Sequence, residues 1–356
     1  MKIVRVLLTS ALFLLFLFFP QQANAASNEI RLIESTHRDI AGKFLNEDLS
    51  TVLSRNGRLG KLVFSPVSKP RIWIIDAALI DDVQAMPKES LVAKNWLSQL
   101  RAVTSQDKVM AIAYGHPNNS ILKTLAPSEL NYYYSASTAR LEKILGRKVD
   151  INQSILWDNS DVASEVVDLY NLNRRAVALM SSVIPASELD PWRASLAKLL
   201  APATTRDLSQ ILNSANMQLT YEENRLRIVP GKYRLTSQKE NVPITLVNDF
   251  ALPVKIQLNL LALNSRIRVG SVESITLAPN SKTQITIPVT IIAPGVTSIL
   301  AQMVNPQGDA INSSVIFKLN VSVISPVVAW FTSGAAILLF LAALTQSVRR
   351  VRRSRK

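Results

Sequence analysis

The residues best suited to chemistry in this chain fall at the ends of short apolar runs. RIWIIDAAL (71–79) contains Asp76, KVMAIAYG (108–115) leads into HPNNS, SILW (154–157) leads into DNSD, and RAVALMS (175–181) ends beside Ser182. In open α/β sheets and barrels, ligand sites gather at the carboxyl ends of the strands. Asp76, Tyr114, His116, Asn118, Trp157 and Asp158 are therefore the candidate ligand-binding residues, with Ser181 and Ser182 beside them. Two carboxylates, an imidazole, an amide and two aromatic faces suit a sugar, whose ring stacks on aromatics while its hydroxyls meet the polar groups. The competing reading is that Asp76 and Asp158 cap the helices after them and that Trp157 is core.

The elements that must hold these residues alternate. Ser35–Leu53 reads as a helix with His37 on its surface, followed by the Gly-rich basic loop RNGRLGK. Ser90–Val103 repeats Val92, Ala93, Trp96, Leu97, Leu100 and Val103 at helical spacing. Further helical patterns cover Ile121–Leu125, Thr138–Leu145 and Asp161–Tyr170, and Thr204-x-x-Asp207 has the form of a capping box. Strand and helix in alternation, with continuously apolar strands, imply an α/β domain over 26–230 built on a partial barrel or a parallel sheet.

Beyond the turn dipeptide Pro230-Gly231 the pattern changes. VPITLVN, PVKIQLNLLA, SRIRVG, ESITLAP, KTQITIPVTIIA, VTSILAQMV and VIFKLNVSV are each a strand's length, with turn signals between them. Closely spaced strands of this kind predict an all-β, immunoglobulin-like sandwich over 231–322, without a disulfide because the chain has no cysteine. Zero cysteine also excludes thiol catalysis, thiolate metal sites and a lipidated-Cys anchor.

Residues 326–345, PVVAWFTSGAAILLFLAALT, carry no charge, and twenty residues at about 1.5 Å rise match a hydrocarbon core of roughly 30 Å. The tail at 346–356 contains Arg349, Arg350, Arg352, Arg353, Arg355 and Lys356. By the positive-inside rule it stays cytoplasmic, and the bulk of the chain is outside. Residues 1–25 read as a cleavable signal peptide: Lys2 and Arg5, an apolar core, then Ala23-Asn24-Ala25. The net charge is +14, and subtracting these eight cations leaves +6 outside. That balance suits anionic envelope polymers and gives no footprint for nucleic acid. The only histidines, His37 and His116, form no zinc motif, and no Gly-rich phosphate loop or G-x-S-x-G elbow occurs, so neither a metal nor a cofactor is expected.

The chain resembles an uncharacterised actinobacterial family of single-pass envelope proteins encoded beside the lipid II flippase MurJ (MviN). The resemblance rests on IIDAAL (74–79), AIAYGHPN (111–118), SILWDNSD (154–161), VPITLVNDFALPVKIQL (242–258) and the closing anchor with its Arg-rich tail. Family members are usually longer, so this chain looks like a shortened one. It departs from the family pattern at His116 and Asn118, where an acidic loop is usual, and at Trp157–Ser160, where a W-P-x-x-G-like loop is usual. The resemblance implies a link to peptidoglycan precursor handling and no defined activity.

The leading expectation is a non-enzymatic, membrane-tethered scaffold or glycan-binding module, with cell-wall glycan or the flippase as partner. The alternative is a glycan-active hydrolase or deacetylase using Asp76 and Asp158 with His116. A third reading is a regulator that meets a membrane partner through Ser333, Gly334, Ala335 and Ala336, since small residues let helices pack closely.

Overall fold

The structure, a computed structural model, describes residues 28–34, 36–154, 162–201, 208–322 and 326–353. The expected signal segment, the stretch with Trp157 and Asp158, and the expected capping box at Thr204–Asp207 lie outside the described residues. The chain divides into two compact units, one within Met1–Asp161 and Leu200–Arg206, the other within Val162–Leu199 and Asp207–Lys356.

The first unit is an α/β layer. Its sheet holds β1 (Asn28–Leu32), β2 (Arg71–Ile75), β3 (Lys108–Ala111) and β4 (Asp150–Ile151) in chain order, all pairs parallel. Parallel neighbours need crossovers. These are α1 (Asp48–Leu53), α2 (Arg58–Phe64), α3 (Ala77–Gln84), α4 (Leu91–Thr104), α5 (Asn119–Leu125) and α6 (Pro127–Leu145). Trp73, Ile74 and Ile75 of β2 are buried in succession, as a strand covered on both faces requires. On α4, Ala93, Trp96, Leu100 and Thr104 form the inner face, and Ser90 Oγ caps the helix by accepting from the Ala93 amide at 3.3 Å.

Three expectations need correction here. The helix expected over Ser35–Leu53 forms only at Asp48–Leu53; before it, Asp39–Gly42 make a tight turn closed by an Arg38–Phe44 bridge, with Gly42 at φ +83°. His37 is consequently buried rather than on a surface. RAVALMS is not a strand. It completes α7 (Ser164–Met180), whose buried residues Val166, Leu169, Tyr170, Asn173, Ala176, Val177 and Met180 keep helical spacing throughout. Ser181 and Ser182 therefore follow a helix, not a strand end. After β3 the sheet continues in β4 at 150–151, while SILW beyond its first residue lies outside the described residues.

In the second unit, α7, α8 (Ala186–Ser195), the 3₁₀ segment Leu196–Leu200 as far as Leu199, and α9 (Leu208–Arg225) precede two sheets. One has the order β10–β8–β12–β13–β6, the other β5–β7–β11–β9. The strands are β5 (Leu226–Val229), β6 (Lys232–Leu235), β7 (Lys239–Asn248), β8 (Val254–Ala262), β9 (Ile267–Val269), β10 (Ile275–Leu277), β11 (Ser281–Ile291), β12 (Gly295–Val304) and β13 (Val315–Val321). All seven runs read as strands are strands, and two short ones, β5 and β6, precede them. Burial alternates along β11 and β12, so Ile287, Val289, Ile299, Ala301 and Met303 point into the core between the sheets. Pairing is antiparallel except for β6 with β13. The last helix, α10 (Pro326–Arg353), contains an 18-residue stretch, Trp330–Ser347, long and apolar enough to cross a membrane, and none of that stretch is buried.

Candidate functional site

The candidate residues of the first unit meet at the carboxyl edge of β2 and β3. Asp76 ends β2 and is 3% exposed. Its Oδ1 accepts from the Ala78 amide at 2.9 Å, capping α3, and from the Gly115 amide at 3.0 Å, which ties the loop after β3 to the same turn. Asn118 acts alike: its Oδ1 accepts from the Ser120 and Ile121 amides at 3.0 and 3.2 Å and caps α5. The Asn118 backbone amide donates to the Leu200 carbonyl at 2.7 Å. Asp76 and Asn118 are thus brought to one edge, and each uses its Oδ1 to hold two backbone amides.

Between them, Gly115 and His116 both adopt positive φ, +69° and +56°, and the His116 amide closes a turn on the Ala113 carbonyl at 3.0 Å. A histidine in the left-handed region is uncommon, and here the turn imposes it. Burial lowers the His116 pKa to about 3, so the imidazole is neutral near pH 7 and lacks the imidazolium proton that a general acid would give. Trp157 and Asp158 lie outside the described residues.

Tyr114 leads to a cluster that the pattern of strand ends did not reveal. Its hydroxyl donates to Asp81 Oδ2 at 2.9 Å. Arg140 of α6 donates from Nε to the same oxygen at 3.1 Å and lies over the Tyr114 ring, 4.7 Å from its centre. Next to it, Asp82 is 2% exposed and accepts from Arg38 Nε at 2.8 Å and from the His37 amide at 3.2 Å. Burial raises the Asp81 pKa against the opposing pull of Tyr114, Arg140 and Arg38, with Asp82 adding to the rise. Burial and then the two carboxylates push the Tyr114 phenol well up, so it stays a neutral donor. The visible signal for this cluster was two adjacent acids inside AALIDDVQ, an otherwise apolar helix with buried Leu79, Ile80 and Val83. Each acid has its own arginine, an arrangement that joins α3 to α6 and to the turn at 37–44. Among the described residues, no three His, Asp or Glu side chains gather as metal ligands would.

Open space lies elsewhere in the unit. A groove of about 580 Å³ runs between the α1–α2 corner and α4, lined by Ser54, Arg55, Phe64, Asn95, Ser98 and Gln99 among others. Arg55 lies over the Phe64 ring at 5.2 Å. The corner is tight because of glycine: a Cβ on Gly60 would come within 1.6 Å of the Ser54 carbonyl oxygen. A second, more apolar groove of about 480 Å³ is lined by Phe44, Leu49, Met86 and Pro87 with Glu47 and Ser90.

A model of a family of unknown function, DUF6049, matches residues 98–356, nearly three quarters of the chain, and the chain belongs to that family. No curated relative matches the sequence. Parts of the chain are similar to solved structures. WR4, an MSP family member of C. elegans, is 15% identical over 28% of this chain and 98% of its own, with a TM-score of 0.22. Native alpha-2-macroglobulin of E. coli is 18% identical over 27% of this chain and 6% of its own, at 0.22. The PapD-like domain 7 of human CEP192 is 13% identical over 28% of this chain and 85% of its own, at 0.21.

Proposed function

We propose that this member of the family is a single-pass envelope protein, its bulk outside the cell, in which the first unit serves as a non-enzymatic scaffold or glycan-binding module linked to peptidoglycan precursor handling. The two sheets act as an immunoglobulin-like stalk on α10, and the Arg-rich tail holds the cytoplasmic side. The observation that carries the glycan reading is the groove on α4. Asn95 and Gln99 lie one turn apart, Phe64 offers a ring, and Arg55 and Ser98 add donors, which is the mixture a sugar with a carboxylated peptide would use. The non-enzymatic reading is supported by Asp76 and Asn118 holding backbone amides and by the neutral His116. A glycan-active hydrolase or deacetylase would need Asp76 free to exchange protons, against its two amide bonds. The tie to a flippase partner and to actinobacteria rests on the sequence resemblance.

The test is binding of soluble peptidoglycan fragments to the full chain in nanodiscs. Asn95→Ala with Gln99→Ala should weaken binding about ten-fold or more, while Asp81→Asn, outside the groove, should leave it unchanged. Equal affinity of the groove variant and the parent would sink the glycan reading. Turnover of the fragments that disappears in Asp76→Asn would replace it with the enzymatic one.

A further inference from the structure

The chain leaves the two-sheet core at one end of it, and that end has an unusual composition. Val321, the last residue of β13, pairs with Gly295 and with Leu235, and the Ser322 amide donates to the Leu235 carbonyl at 2.9 Å. The same end carries the β8–β9 loop, the β11–β12 loop and the β6–β7 turn. The Ile292 and Ala293 amides both donate to the Arg266 carbonyl, at 2.8 and 3.1 Å, and Arg266 Nη1 donates back to the Pro294 carbonyl. The Ile291 amide donates to Gln238 of the β6–β7 turn at 2.8 Å.

On this braced tip stand three exposed aliphatic side chains: Leu263 at 49%, Ile292 at 61% and Val296 at 72%. Around them are the exposed cations Arg234, Lys239, Arg266 and Arg268. The one carboxylate within the same strand ends and loops is Glu240, and it accepts from the Thr236 and Ser237 amides at 3.0 and 3.4 Å. Aliphatic points ringed by cations are the composition of a surface that enters an anionic lipid interface, with side chains among the acyl boundary and guanidinium groups at the phosphates.

Chain length brings the lipid within reach. Four residue steps separate Ser322 from Pro326, which at most spans about 14 Å. The apolar stretch of α10 opens with exposed Trp330 and Phe331, the residue types that settle at the membrane–water boundary. We propose that this end of the two-sheet core, through Leu263, Ile292 and Val296 with Arg234, Arg266 and Arg268, inserts into the headgroup layer of an anionic bilayer and fixes the tilt of the stalk. The proposal rests on the reading of α10 as a membrane span.

The absence of cysteine allows a direct test with single-cysteine variants of the full chain. Ile292→Cys and Val296→Cys, labelled with a polarity-sensitive fluorophore, are reconstituted in phosphatidylglycerol–phosphatidylcholine vesicles doped with a lipid carrying a nitroxide near its headgroup. Ser313→Cys, in the β12–β13 loop at the other end, and Ser333→Cys, within α10, serve as references. The expected result is quenching of the 292, 296 and 333 probes by about two-fold or more, with the 313 probe unaffected. Arg266→Glu with Arg268→Glu should reduce quenching at 292 and abolish its dependence on phosphatidylglycerol. Quenching at 333 without quenching at 292 and 296 overturns the proposal and leaves the span intact. No quenching at 333 removes the span and the proposal together. Probes at 292 and 296 shielded from aqueous iodide yet untouched by the lipid quencher mean that protein, such as a second copy, covers this end, and the proposal falls.

Discussion

The parallel sheet and the two-sheet core settle their buried polar groups in opposite ways. Around the parallel sheet, carboxylates are buried: Asp76 and Asp82 at the carboxyl edge, Asp107 at the other. Asp107 accepts from Trp73 Nε1 at 2.8 Å and pairs with Arg71 and Lys69. Burial alone would raise its pKa, but Trp73, Arg71 and Lys69 outweigh that and hold it below the usual range. Among the described residues of the two sheets, the buried polar side chains are Asn248, Thr297 and Asn305, all neutral. Asn248 accepts from the Phe250 amide at 3.0 Å and donates to the Leu252 and Ala278 carbonyls, both at 2.9 Å. The difference follows from topology. Antiparallel strands turn back on themselves and leave short loops that an amide can close. Parallel strands deliver unrelated loops to one edge, where stronger charge-assisted bonds hold pieces distant in sequence.

Substitutions can break or sharpen this contrast. The largest effect is expected from Asp107→Ala, which leaves the part-buried Arg71 and the buried Trp73 Nε1 without their acceptor; a loss of about 3–5 kcal/mol should appear in denaturant melts. Hydrogen exchange should then show lost protection in β2 and β3 with β7 and β11 unchanged; equal loss in both sheets would dissolve the contrast. Asn248→Ala should cost about 1–3 kcal/mol, with the loss in β7 and β11 instead. Gly60→Ala should cost about 1–3 kcal/mol by forcing α1 and α2 apart, and should weaken the proposed glycan binding at the adjoining groove.

A further effect concerns acid. A histidine near 6.5 when unfolded and about 3 when folded contributes stability that is complete above pH 6.5 and declines as the pH falls toward 3. The slope approaches about 1.4 kcal/mol per pH unit, and the raised Asp81 opposes it in the lower part of that window. Asp107, with its lowered folded pKa, adds stability above its unfolded value of 3.8 that is lost as the pH falls through the folded value. His116→Asn, which keeps a residue tolerant of positive φ, should flatten the decline between pH 6.5 and 4 in the first unit. An unchanged pH profile would mean that His116 does not carry this dependence.

Legibility in the sequence followed the range of the interactions. VPITLVN through VIFKLNVSV announced their strands because alternation is a local property, and Ser90–Val103 its helix for the same reason. RAVALMS misled because its five successive apolar residues suit either element until the helical face before them is followed across Asn171 and Asn173. NEIRL was missed as β1 because an edge strand alternates charge with Ile30 and Leu32. Asp76 was found, and its role as a cap was one of the two readings; the Asp81–Arg140 pair, 59 residues apart, left only the oddity of acids in an apolar helix.

The one parallel pair in the second unit, β6 with β13, has a mechanical consequence. Load arriving along the chain at the amino end of β6 and leaving through the carboxyl end of β13 acts along both strands in opposite directions. Lys232–Leu235 and Lys318–Val321 are then sheared, so their hydrogen bonds share the force and yield together rather than opening one by one. Where rupture is governed by the unfolding rate, this geometry makes β13 hard to strip from β6.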